Sequence, residues 1–207
     1  MKIETFVLSI AMTNCYLAIH ENTNECLLVD LPDHDPKLID HIKNNHLKVK
    51  GILLTHGHFD HIMGVKTFLE TFPVPVYAHL AEKDILSDPA KNLSLHYSNQ
   101  SYSLKHITFL DDQQRFQLAG FDITAIPIPG HTPGGCCYYF AKEHILFSGD
   151  TLFHQSVGRT DFPGGDANLL RTSIQTKLLT LPENTKVFPG HMQPTTIKNE
   201  TKSNPFL

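Results

Sequence analysis

The chain has 207 residues, 41% of them hydrophobic, enough to close one sizeable core, and is expected to form a single domain over residues 1–207. A formal net charge of −4 at pH 7, with Arg115, Arg159 and Arg171 as the arginines, argues against a nucleic-acid face, so an anionic ligand would need a local basic contact. No apolar run approaches a membrane span, and Glu4, Ser9, Thr13 and Asn14 break up the N-terminus too much for a signal peptide.

Residues 2–31 read as strands at Phe6 to Leu8, Cys15 to Ile19 and Cys26 to Val29. Asp35-Pro36 then gives an N-cap and first helical position, with Leu38, Ile39 and Ile42 on one face. Val49 to Thr55 is a short apolar strand that runs into His56-Gly57-His58-Phe59-Asp60-His61; Ile62, Val65, Phe68 and Leu69 predict a helix after it. Pro75 to Ala78 is another strand, followed by a short helix, and residues 87–106 form a long Ser- and Asn-rich connection. That connection is either a mobile surface loop or a cover over a site.

Two hairpins follow, one turning at Ala119-Gly120 and one at Lys142-Glu143. Asp166 caps a helix whose Leu170, Ile174 and Leu178 recur every fourth residue, and Thr185 to Phe188 is a last strand before Pro189-Gly190-His191. Strands followed by helices, twice over, predict two packed sheets with helices outside. The four cysteines, Cys15, Cys26, Cys136 and Cys137, lack CxxC spacing and read as buried reduced thiols, which favours a cytoplasmic protein.

The anomaly in the composition is histidine, with 14 residues. His56, His58, Asp60 and His61 fall within one turn after a strand, where they can reach two ions a few ångströms apart; the bland reading is a solvated histidine-rich loop. Pro129-Gly130-His131, Ser148-Gly149-Asp150 and Pro189-Gly190-His191 repeat one design, a strand that ends in glycine and then a ligand. Each is weak alone. Together they give an all-nitrogen-and-oxygen donor set that suits zinc, iron or manganese and, lacking thiolates, leaves open coordination positions. His20, His34, His41, His46, His106 and His144 read as ordinary surface histidines, and His79 and His154 match no ligand position.

THGHFDH, GHTPGG, FSGDTLF, GRTDFPGGD and PGH with a following TTI resemble the single-domain bacterial relatives of glyoxalase II, hydroxyacylglutathione hydrolases of the metallo-β-lactamase superfamily. The resemblance runs from Asn14-Cys15-Tyr16 to the final Asn204-Pro205-Phe206-Leu207. It implies an α+β fold, a four-layer αββα sandwich. It also implies two divalent metal ions, zinc with iron or manganese as alternatives: His56, His58 and His131 on the first, Asp60, His61 and His191 on the second, and Asp150 between them. The implied reaction is attack of a metal-bound hydroxide on a small thioester, such as a glutathione-derived one, with no catalytic side chain beyond the ligands. No nucleic acid or membrane partner is expected. The C-terminal helical domain that grips glutathione in two-domain glyoxalase II is expected to be missing.

The resemblance also assigns Asp30 to a hydrogen bond with a ligand histidine, against the plain reading of a turn aspartate. Here the run is Asp30-Leu31-Pro32 where the family has Asp-Pro-Gly. Arg159 matches a substrate-binding basic position; its competing reading is an internal ion pair with Asp161, which stands where the two-domain enzymes have an aromatic residue. The competing function is a persulfide dioxygenase on the same fold with one iron and three protein ligands.

Overall fold

The computed structural model describes residues 1–9 and 11–207. Strands β1 (Lys2–Leu8), β2 (Thr13–His20) and β3 (Glu25–Val29) lead to helix α1 (Pro36–Asn44), β4 (Lys48–Leu53), and helices α2 (Phe59–Ile62) and α3 (Val65–Thr71). Strand β5 (Val76–His79), a 3₁₀ turn at Leu80–Glu82, α4 (Lys83–Ser87), α5 (Ser94–Tyr97) and β6 (Thr108–Leu110) complete the first half. The second half comprises β7 (Arg115–Leu118), β8 (Phe121–Pro127), β9 (Cys136–Phe140), β10 (Ile145–Gly149), the short pair β11 (Leu152–Phe153) and β12 (Ser156–Val157), α6 (Ala167–Ser173), β13 (Lys186–Pro189), β14 (Thr195–Thr196) and α7 (Ile197–Ser203).

One sheet runs in the order β1-β2-β3-β4-β5-β6 and the other β14-β13-β10-β9-β8-β7. The first has an antiparallel meander at β1-β2-β3 and parallel pairing from β3 to β6. In the second, β10 and β13 are parallel while β7 to β10 zigzag.

Strand β2 explains the layering. Cys15, Leu17 and Ile19 point into the core shared with α1 and α3, where Leu38, Ile42 and Phe68 lie. Tyr16 and Ala18 point the other way, onto Tyr138, Phe140 and Phe147 of the second sheet. Successive side chains alternate faces, so a strand covered on both sides is apolar throughout rather than in alternation. A third core packs Cys137, Leu146 and Val187 under Leu170, Ile174, Leu178 and Ile197. Three cores separate four layers, which is the αββα sandwich. Truncating a buried leucine such as Leu17 should cost about 2–5 kcal/mol.

Three local expectations are corrected. The helix expected from Ile62 to Leu69 is two pieces, α2 and α3, because at the junction Gly64 N–H leaves the helical ladder to bond the Leu31 carbonyl at 3.0 Å. The helix capped by Asp166 turns π-helical over Ile174–Leu178, which keeps Ile174 and Leu178 buried beside Leu170. The 87–106 connection contains α5, and Tyr102 and Leu104 tie it into the first core.

The strands that matter for the site end at one edge. The C-termini of β3, β4, β8, β10 and β13 lie there, as does the N-terminus of the antiparallel β2. Polar ties join the sheets at this edge. Asn14 N–H donates to the Gly190 carbonyl at 2.7 Å, Tyr16 Oη to that of Pro189 at 2.6 Å, and Tyr138 Oη to that of Leu54 at 2.8 Å.

Candidate metal centre

All seven residues expected to hold metal converge on that edge. His56, His58 and His131 each bring one ligand atom into a group within 4.8 Å, and Asp60, His61 and His191 do the same; a third group, His56, His61 and Asp150, joins the two. His191 Nε2 stands 3.4 Å from Asp150 Oδ2 and 3.4 Å from Asp60 Oδ2. His131 Nε2 lies 3.8 Å from Asp150 Oδ2 and 3.0 Å from His58 Nδ1. Asp150 therefore faces both sets, on the turn that follows β10.

The ring nitrogens turned away from the centre are fixed by the scaffold. His61 Nδ1–H donates to Asp30 Oδ2 at 2.7 Å, and His131 Nδ1–H to the Arg159 carbonyl at 2.7 Å. His56 Nδ1 lies 3.2 Å from Thr55 Oγ1, whose proton goes to Asp30 Oδ2 at 2.7 Å. Asp60 Oδ2 accepts from Thr13 Oγ1 at 3.2 Å. These contacts leave His56 Nε2, His61 Nε2 and Asp150 Oδ1 buried without a hydrogen-bond partner at the centre. Such orphans are costly in a protein interior, and a cation satisfies all three at once. The residues present fit a pair of divalent ions bound through nitrogen and oxygen.

Burial, reinforced by the neighbouring imidazoles, holds His56 well below its usual pKa and brings His58 down to about 3. Burial also disfavours charge on His61, but Asp30, Asp150 and Asp60 outweigh it and hold its pKa well above the usual value. His191 rises to about 10 against burial through its hydrogen bonds to Asp150 and Asp60. In the half that holds His61 and His191, the carboxylates and the imidazoles stabilise each other's charged forms.

A cleft of about 500 Å³ opens over the centre. Leu93 and Tyr97, from the 87–106 connection, line it with Phe59, Phe153, Phe162 and Met192. The Phe59 and Tyr97 rings stack 5.6 Å apart at 7°, and Phe162 meets His58 edge-on at 5.4 Å. The connection thus forms one wall of the cleft. Arg159 also lines it, its guanidinium 4.0 Å from the Phe162 ring centre. Its Nε and one terminal nitrogen donate to the Asp161 carboxylate at 2.7 and 2.6 Å, so the internal ion pair forms at a position that still faces the cleft.

The remaining histidines stay out of the centre. His79 Nε2 pairs with Asp112 at 2.8 Å, and His154 Nδ1 meets Gln193 at 3.2 Å. Thr55 and Thr13 were not singled out from the sequence, although Thr55 directly precedes His56 and the position itself was a usable signal.

Comparison with known proteins agrees with this geometry. The family model described as metallo-β-lactamase superfamily matches residues 10–191. The chain is 37% identical to the probable metallo-hydrolase YqgX of Bacillus subtilis, over 94% of this chain and 92% of that protein. It is 34% identical to the hydroxyacylglutathione hydrolase GloC of Haemophilus influenzae, over 100% and 98%. Among solved structures, the B3 metallo-β-lactamase BLEG-1 superposes with a TM-score of 0.94 at 40% identity, covering 100% of this chain and 99% of that one. TTHA1623 in a di-iron-bound form gives 0.87 at 32%, covering 99% and 100%. ETHE1 from Myxococcus xanthus gives 0.79 at 25%, covering 99% and 84%. No helix among the described residues is long and apolar enough to cross a membrane. The chain belongs to the metallo-β-lactamase superfamily.

Proposed function

We propose that the chain is a two-metal hydrolase of a small thioester of the S-lactoylglutathione kind. The observation that carries this reading is the pair of filled ligand groups meeting at Asp150 beneath an open cleft. His56, His58 and His131 would hold one ion and Asp60, His61 and His191 the other, with Asp150 shared. Bound there, two divalent ions supply a water acidified toward neutral pH and positive charge for an oxyanion. Asp30 and the Arg159 carbonyl keep the imidazoles aimed at the centre, and aromatic side chains wall the cleft.

The cleft also suits the leaving group. Beyond the ligands, no described residue lining it is a carboxylic acid or an imidazole; Tyr97 and Arg159 are its other ionisable side chains. A thiol has a pKa of about 8.5 and departs as an anion without a dedicated acid, whereas an amide nitrogen needs a proton. The likeness to GloC supports the thioester, and the likeness to BLEG-1 makes a β-lactam the amide to compare. The alternative, a one-iron persulfide oxygenase on the same fold, would use three protein ligands, whereas both ligand groups are filled here.

The test is metal analysis with three assays: thiol release from S-lactoylglutathione, oxygen uptake with glutathione persulfide, and hydrolysis of a chromogenic β-lactam. Protein loaded with about two metal equivalents should release thiol, and His61→Ala should lose roughly a hundredfold or more in rate. Brisk persulfide-dependent oxygen uptake that survives His61→Ala would establish the oxygenase instead. Faster turnover of the β-lactam than of the thioester would displace the thioester.

A further inference from the structure

Glu82, at the end of the 3₁₀ turn after β5, is fully buried yet has no cationic partner among the described residues. Its Oε2 accepts the Gly57 N–H at 2.7 Å and its Oε1 the Gly134 N–H at 2.8 Å. Gly57 lies between His56 and His58. Gly134 lies in the loop that carries His131, which Ile128 N–H closes by donating to the Gly135 carbonyl at 2.7 Å. One carboxylate therefore spans the two loops that supply the three-imidazole half. The approach is close: a Cβ on Gly134 would stand 2.5 Å from the Glu82 backbone nitrogen.

A carboxylate is an expensive way to satisfy two amides. Burial disfavours its charge and raises its pKa, while the Thr132 side chain and the Gly134 and Gly57 amides only partly oppose this. A buried negative charge without a cationic side chain finds its complement in a nearby cation. Imidazoles bind a metal as neutral ligands, so a divalent ion held by the three-imidazole group would have only the shared Asp150 as an anionic ligand.

We infer that Glu82 is a positioning residue for the first metal site, clamping the His56–His58 loop to the His131 loop and offsetting the charge of the ion they hold. The inference rests on the two-metal reading but not on the thioester. Its test uses zinc binding without substrate, so failure to hydrolyse thioesters leaves it standing.

The experiment is chelator-competition titration with zinc in two backgrounds: His191→Ala, which keeps the three-imidazole half, and His58→Ala, which keeps the carboxylate-rich half. Glu82→Gln keeps the size but removes the charge, and its amide can accept from only one of the two loops. It should lower zinc affinity about tenfold to a hundredfold in the first background and less than about twofold in the second. Glu200→Gln serves as the comparison, since Glu200 is another buried carboxylate, bonded to Thr195 and the Gln155 amide. It should lower the melting temperature without selective loss of zinc. Glu82→Asp keeps the charge but reaches only one loop, so it should show the same selectivity and serves if Glu82→Gln does not fold. Equal loss of affinity in both backgrounds, or none in either, would overturn the assignment.

Discussion

Asp30 reaches both halves of the metal centre: its Oδ2 takes the His61 Nδ1 proton at 2.7 Å and, through the Thr55 hydroxyl, steadies His56. The main-chain N–H of Thr55 donates to Oδ1 at 2.8 Å, so both carboxylate oxygens are engaged. Such outer hydrogen bonds set which ring nitrogen faces the metal.

Asp30→Asn replaces one accepting oxygen with an amide that donates, so a contact to Thr55 or His61 must be lost. Asparagine tolerates the left-handed φ of 56° found at Asp30, so the fold should persist. Zinc affinity should fall about tenfold to a hundredfold, with near-native circular dichroism. An unchanged affinity would mean that Asp30 serves only the turn.

Much of the gathering of these residues was legible in the sequence because the candidate ligands sit where strands end. His56, His58, Asp60 and His61 lie within six residues on one turn, and the pattern alone brought them together. The three Gly-ligand turns needed a rule from outside the residues, since nothing local to His131 says that it meets His58 across the sandwich. The four layers were readable in outline from the order of strands and helices. The break between α2 and α3 was not, because it depends on Gly64 bonding Leu31, a residue far back along the chain. Glu82 had no local signal either: its partners, Gly57 and Gly134, are distant in sequence, and its isolation from cations is a property of the packed interior. Arg159 stayed divided between two readings for a physical reason, since an exposed guanidinium can serve Asp161 and a passing carboxylate in turn.

That division is testable. The Arg159 guanidinium holds the Asp161 carboxyl down to about 2, but both side chains are exposed, so the pair should matter little for stability. If Arg159 engages a substrate carboxylate, Arg159→Ala should raise KM several-fold more for glutathione thioesters than for uncharged thioesters, with little change in kcat. An equal loss for both substrates would confine Arg159 to the ion pair.

Gly190 sets how closely the His191 turn approaches the centre. A Cβ there would lie 2.3 Å from Asp150 Oδ1 and 2.6 Å from His61 Cε1. The backbone has little room to withdraw, because Gly190 N–H bonds the Gly149 carbonyl at 2.8 Å and its own carbonyl takes the Asn14 N–H at 2.7 Å. Gly190→Ala should therefore displace the shared carboxylate and bring metal content from about two equivalents to one or less. Elemental analysis of the variant checks this, and full retention of metal would mean that the turn yields more easily than its hydrogen bonds suggest.

The thiols give a prediction about alkaline pH. Cys26 and Cys137 are fully buried and unpaired, and burial pushes both up to about 12 from an ordinary value of 9.0. Their folded pKa lies above the unfolded one, so the folded state keeps protons that the unfolded chain releases. Their contribution to stability is complete below about pH 9 and drains away as pH rises toward about 12. In reducing buffer the melting temperature should fall steadily above pH 9, and Cys26→Ala should show a shallower fall over the same range. At pH 8 a thiol-specific reagent should label the native protein slowly and the urea-unfolded protein at once, because the thiolate is the reactive form. Rapid labelling of the native chain, or a melting temperature that stays flat from pH 9 to pH 11, would show that these cysteines ionise inside the fold.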